Sequence, residues 1–163
     1  MAMETKPFVR LGYSVKDTDE IVNNMNVLIA SYHVHYQKLR NFHWNVTGRD
    51  FFDLHEKFEE LYNFAKTNID DLAERIRVFG AMPMATLSEY LASSRVTEPV
   101  GIPSSAEMVD QILADFEILL SQMMNVLETA NELGDVSTID LVNDMVKATE
   151  KHYWMLTAWL EER

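Results

Sequence analysis

The sequence predicts an all-α protein: a four-helix bundle of the crossover type, with a short extra helix in the long connection between its second and third long helices. Three observations support this. Four long segments repeat their apolar residues every three or four positions, and only one of the breaks between them is long. No segment alternates apolar and polar residues as a half-buried strand would, and no unit recurs at a fixed period.

The first helix should open near Asp17 or Thr18, carry Ile21, Met25, Leu28, Tyr32, Tyr36, Leu39 and His43 on one stripe, and end at Thr47-Gly48. The second should run from about Asp50 to Phe79-Gly80, where glycine suits a left-handed cap and Pro83 follows. With Leu54 as origin and about 100° per residue, Phe58, Leu61, Ala65, Ile69, Leu72 and Ile76 fall within roughly 60° and define its core face. Thr86 and Glu89 have the spacing of a capping box, so a short helix is expected within the crossover before Pro99, Gly101 and Pro103 close it. Ser104 and Glu107 form a second box, opening a helix that carries Met108, Ile112, Ala114, Phe116, Leu119, Met123 and Val126 to Gly134. The last helix should start near Ser137 and run almost to the end of the chain.

A length of 163 residues with 47% hydrophobic and 25% charged residues suits one globular domain over 1–163, of which 1–16 reads as an N-terminal tail. No apolar run reaches the roughly 18 residues of a membrane span, and the first twenty residues lack the apolar core of a secretory signal, so a soluble, cytoplasmic protein is expected. With no cysteine there can be no disulfide or thiolate metal site, which leaves His, Asp and Glu as the strong metal ligands. The formal charge of −12 opposes attraction to nucleic acid or anionic lipid. Lys6, Arg10 and Lys16 near the N-terminus are diluted by Glu4 and Asp17.

The second helix holds the residues with chemical potential. His55, Glu59, Asp70 and Glu74 fall at roughly 100°, 140°, 160° and 200° from Leu54, in one sector turned away from the core, and Phe52 shares that sector. At 1.5 Å rise per residue, His55 and Asp70 are about 22 Å apart along the axis, too far for one metal ion to touch both. A shared centre would therefore need a second copy of the helix running antiparallel across a twofold axis. His43 is in phase with the apolar stripe of the first helix and can be read either as a hydrogen-bonded packing residue or as a ligand. No Glu-x-x-His motif is present, so an inward-facing di-iron centre within one bundle is not expected. His33, His35 and His152 are left outside the site. Asp140 and Asp144 lie one turn apart near the start of the last helix, where capping acids are also common.

The run from Asn41 through Phe42, His43, Trp44, Asn45, Val46 and Thr47 to Gly48, the Phe52-x-x-Leu54-His55 motif and Asp70-x-x-Ala73-Glu74-Arg75 together resemble the Dps proteins, the mini-ferritins of starved cells. The likeness extends over nearly the whole chain, including Asp135, Asp140 and Lys151-His152-x-Trp154. It implies a ferritin-like fold, a hollow dodecamer of identical chains, and iron as the bound metal. Fe(II) would be oxidised with hydrogen peroxide as preferred oxidant, and the ferric mineral stored inside. By the same resemblance, His43 and His55 of one subunit would join Asp70 and Glu74 of its neighbour in a ferroxidase site. Glu59, where the family generally has Asp, would be a further ligand or a hydrogen-bonding carboxylate. Trp44 would stand near the centre as a radical trap, and Asp140 and Asp144 would line an iron-entry pore.

Two other classes of function are weighed against this one. A DNA-compacting protein of the nucleoid would need a basic surface, and this chain instead predicts weak or absent DNA binding. A non-catalytic bundle that only assembles would oxidise no iron.

Overall fold

The computed structural model describes residues 12–13 and 15–161. Among them are five helices and no strand: α1 Val15–Asn45, α2 Phe51–Val78, α3 Leu87–Ser93, α4 Ser105–Leu133 and α5 Val136–Leu160. Helix α1 packs against α2, α4 and the short α3, and α4 pairs with α5. The bundle is thus two helical hairpins joined by a crossover that carries α3, as expected.

Both expected capping boxes are formed. Glu89 N–H donates to Thr86 Oγ1 at 3.3 Å and Thr86 N–H to Glu89 Oε2 at 3.0 Å. Ser104 and Glu107 exchange the equivalent bonds at 2.8 and 3.4 Å. The Thr86 and Ser104 hydroxyls also donate to Glu89 Oε2 and Glu107 Oε2, each at 2.7 Å, and these bonds first, then the backbone N–H bonds, hold the two carboxyls below their ordinary pKa. Gly134, at φ 67°, takes the left-handed cap that ends α4. Without Cβ it adopts that conformation freely, and α5 can start two residues later.

Two expectations need correction. Helix α1 opens at Val15, because nothing after Gly12 breaks a helix, so the last two residues of the expected 1–16 tail are helical. Residues 1–11 lie outside the described part. Ala114 is exposed: it stands two residues from Ile112, about 200° around the helix, so the two cannot share a stripe. The other core positions are as expected, with Tyr36 and Ile69 only half-buried. Tyr32, Phe42, Phe58, Phe79 and Phe116 are the largest fully enclosed side chains. Asn68 donates to the Tyr32 hydroxyl at 3.1 Å, which satisfies a polar atom whose phenol burial pushes well above its ordinary pKa.

Periodicity gave no sign of two polar clusters that tie the helices together. In the first, Asp115 of α4 is buried with its Oδ1 accepting from Lys38 Nζ at 2.7 Å and its Oδ2 from His35 Nδ1 at 2.8 Å. In the second, Arg75 near the end of α2 reaches the start of α5. Its Nη2 bonds Asp135 Oδ1 at 2.6 Å and its Nε bonds Thr138 Oγ1 at 2.8 Å, while its guanidinium lies 4.7 Å from the Phe79 ring centre. Asp135 also caps α5 by accepting from Thr138 N–H at 3.2 Å and binds the Thr138 hydroxyl.

Removing one partner of a buried ion pair leaves the other charge uncompensated, at a cost of about 3–5 kcal/mol. Asp115→Ala should lower stability by that order, read from the shift of the urea midpoint at constant m-value. The triple replacement His35→Leu, Lys38→Met and Asp115→Leu should recover most of the loss. A single-variant cost within the scatter of surface substitutions, about 0.5 kcal/mol, would show that Lys38 escapes to water.

Candidate metal centre

The turn between α1 and α2 is short, so the last turn of α1 lies beside the first turns of α2. Leu39, Phe42 and Val46 on one helix and Leu54 and Phe58 on the other are buried, and the Phe42 and Phe58 rings meet at 6.1 Å. This packing brings His43 against His55. His43 Nδ1 lies 2.7 Å from the carbonyl oxygen of His55, and His55 Nδ1 lies 2.7 Å from the carbonyl oxygen of His43. A carbonyl can only accept, so both Nδ1 atoms carry the proton. With Nδ1 so occupied, Nε2 is the ring nitrogen left to bind a metal, as it does in the neutral tautomer.

The reciprocal bonds also fix the rings. They stack at 3.8 Å between centres and 18° between planes, with Phe51 stacked on His55 at 5.0 Å and Tyr62 edge-on to His43 at 5.4 Å. His43 is buried and His55 half-buried, and neither Nε2 is among the sealed, unpartnered polar atoms. The two open readings of His43 are therefore compatible: it packs in the core and still presents a donor atom outward.

Asp70 and Glu74 are exposed, on the same sector of α2. Their side chains form no hydrogen bond or ion pair with any described residue. Arg75, next to Glu74, is anchored to Asp135 and Thr138 and so steadies this end of the helix. Among the described residues no three His, Asp or Glu side chains converge within the subunit. The structure thus brings His43 to His55, and leaves Asp70 about four and Glu74 about five helical turns away along α2. Glu59 is exposed one turn beyond His55, near Tyr62, whose phenol is raised in pKa by burial and then by the Glu59 charge. Imidazole nitrogens suit iron, zinc, copper and nickel, and carboxylates suit harder cations, so a centre that combined these residue types would take a first-row metal ion without any thiolate.

The remaining predicted residues are less tightly placed. Trp44 is 56% exposed, with its ring 4.8 Å from the Arg40 guanidinium carbon. Asp140 and Asp144 are exposed on α5, and Asp144 pairs with Lys147 at 2.7 Å, which raises the lysine pKa. Of the histidines set aside, His33 stacks on Tyr90 at 3.7 Å and His35 belongs to the Asp115 cluster. His152 is half-buried against Phe64. Sequence reasoning missed Tyr62 as the ring touching His43. The i, i+3 spacing of Glu59 and Tyr62 was the available signal.

The ferritin-like domain family matches residues 22–163. The chain is 41% identical over 143 residues to general stress protein 20U of Bacillus subtilis, covering 88% of this chain and 99% of the relative. It is 44% identical over 137 residues to the DNA protection during starvation protein of Brevibacillus brevis, covering 84% and 92%. Among solved structures, the Dps protein of Vibrio cholerae O1, described as a member of a broad superfamily of ferritin-like diiron-carboxylate proteins, aligns with a TM-score of 0.91 and 38% identity over 99% of both chains.

The folded protein disfavours the charged form of His152, first through burial and then through Lys57, so its pKa lies below 6.5. A depressed histidine pKa contributes stability that is full above the unfolded value and declines as pH falls through it. The melting temperature should therefore fall as pH drops below 6.5, and His152→Gln should flatten the decline. His33, also depressed by burial, would leave a residual slope. Identical slopes in scanning calorimetry of both proteins would contradict the assignment.

Proposed function

The chain belongs to the ferritin-like family, in its Dps branch, and from that premise we propose that it is a ferrous-iron oxidase and iron-storage cage whose oxidation sites are each completed by two subunits. The reciprocal lock of His43 and His55 is the observation that carries this reading: it fixes two stacked imidazoles through their Nδ1 atoms and leaves Nε2 of each for a metal. Asp70 and Glu74, unpaired at the other end of α2, are the complementary half. An antiparallel second copy across a twofold axis would bring the halves together. Phe52, 81% exposed and three residues before His55, and Trp44, 56% exposed and next to His43 in the chain, offer apolar surface suited to such a seam.

Fe(II) is the substrate. The neutral imidazoles bind it without a large charge cost, and the carboxylates stabilise the extra positive charge of Fe(III), so the donor set favours oxidation. Two ferrous ions supply the two electrons that reduce one hydrogen peroxide to two waters, with two protons taken up. Pairing the irons thus avoids the one-electron cleavage that releases hydroxyl radical. Glu59 joins the site as a carboxylate one turn from His55. Trp44 enters this reading as a sink for stray oxidising equivalents, and Asp140 with Asp144 as acids guiding iron into a dodecameric cage that holds ferric mineral. The proposed compartment is the cytoplasm, and no described helix is long and apolar enough to cross a membrane.

Stopped-flow absorbance after adding Fe(II) and peroxide should show a fast ferric burst absent from a protein-free control. A trace identical to the control would identify an idle assembling bundle. Cages of His43→Ala/His55→Ala chains, and cages of Asp70→Ala/Glu74→Ala chains, should each lose the burst. Mixed cages of the two should regain part of it, because some seams then contain one intact histidine half and one intact carboxylate half. No recovery in verified mixed cages would refute sharing between subunits.

DNA compaction is disfavoured by the charge of −12 on every chain, which repels phosphate more strongly as chains assemble. Intact cages should leave supercoiled DNA unshifted in a gel at physiological salt. A stoichiometric shift would overturn that expectation.

A further inference from the structure

Helices α1 and α4 pack side by side, and the surface between them is hollowed by two cavities, about 650 Å³ and about 260 Å³, which share Asn24 and Asn125 and so form one trench. On α4, Glu117, Asn125, Glu128 and Glu132 lie on a single polar stripe along it. Glu20 of α1 lines the smaller cavity with Glu128 and Glu132. These three carboxylates are exposed, and their side chains form no hydrogen bond or ion pair with any described residue. The only cation among the residues lining the trench is Arg95, in the larger cavity with Glu117.

The stripe is unfavourable as it stands, for three separate reasons. Glu128 and Glu132 are one turn apart on α4, a spacing at which like charges repel. Glu132 stands in the last turn of α4, where the helix dipole is already negative and no basic residue compensates it. Gln122, only 8% exposed, lines the larger cavity; its Nε2 donates to the Val27 carbonyl at 3.5 Å, but its Oε1 accepts no hydrogen bond. A buried acceptor without a donor is costly. A ligand carrying several positive charges and several N–H donors would relieve all three.

A single metal ion is not that ligand, because among the described residues no three His, Asp or Glu side chains converge closely enough to hold one. The charge has to be spread along the trench. On the helix axis Glu128 lies about 6 Å from Glu132, and Gln122 about 9 Å beyond Glu128.

We propose that the trench between α1 and α4 binds a linear aliphatic polyamine, with successive ammonium groups on Glu132 and Glu128, beside Glu20, and a further one reaching the Gln122 amide. Trimethylene and tetramethylene spacers separate amines by about one helical turn, which suits carboxylates at i and i+4. Arg95 repels cations from the far end of the larger cavity, so the ligand sits toward Glu20, Glu128 and Glu132. The site uses none of the residues of the histidine lock and does not depend on the iron chemistry.

The test is isothermal titration calorimetry of the intact, iron-free protein with spermidine at physiological salt. Saturable binding at one molecule per chain is expected. Hexaamminecobalt(III), a compact trication that also carries many N–H donors, cannot span the stripe and should bind at least about tenfold more weakly. Glu128→Gln/Glu132→Gln alters only exposed side chains and should weaken spermidine about tenfold. Glu98→Gln/Glu150→Gln removes the same charge from exposed positions outside the trench and should change affinity less than about twofold. Gln122→Met, which keeps the length of the side chain and deletes the acceptor, should also weaken binding while the Glu98/Glu150 pair does not. Absence of saturable binding would overturn the proposal. So would equal affinity for hexaamminecobalt(III), or equal losses in the two double variants, since either means a diffuse counterion cloud. Unchanged spermidine affinity in Gln122→Met would overturn the placement over Gln122, and the Glu128/Glu132 variant decides the site whatever Gln122→Met does to folding.

Discussion

An α-helix advances about 1.5 Å per residue and hardly bends, and this rigid rise shapes the chemistry of the molecule. It puts His55 and Glu74 on one sector of α2 while holding them far apart, so in the proposed reading one subunit carries two unlike halves of a donor set. The imidazole half is finished within the subunit, because α1 turns back beside α2 and supplies His43. The carboxylate half has no such neighbour. The proposed function follows from this division, since a centre made from these residues depends on a second copy of the helix.

Each half is held by something other than itself. At one end the two histidines use their Nδ1 protons on each other's backbone carbonyl, so two flexible side chains become fixed donors with a defined tautomer. At the other end Arg75 spans from α2 to Asp135 and Thr138 at the start of α5, joining the two hairpins next to Glu74. The Asp115 cluster joins α1 to α4 from inside the bundle. Buried ionic groups of this kind define which helix faces which more than they add net stability, since their desolvation largely offsets their attraction.

Much of this architecture was legible in the chain. Capping boxes are local chemistry, and both appear where Thr86 and Ser104 predict them. The apolar spacing of α2 placed every expected core residue at or near the interior, and put Glu59, Asp70 and Glu74 outside it. Ala114 misled because a small residue near a stripe reads as part of it, although its angle is wrong. The start of α1 was set too late because Val15 and Lys16 carry no boundary signal of their own. The roles of His35, Lys38 and Tyr62 were not legible, since each depends on a group brought close by the packing of two helices.

The sequence by itself determined the helices, their caps, the crossover and the sector of α2 that carries ligand-type side chains. All of these follow from interactions within a few residues along one helix. Only the tertiary structure decided that His43 and His55 lock each other's tautomer, that Asp115 meets Lys38 and His35, and that Tyr62 rather than Trp44 touches the imidazole. Those outcomes depend on the offset and rotation of one helix against another. Packing of both surfaces sets these quantities together, and the periodicity of a single helix does not contain them.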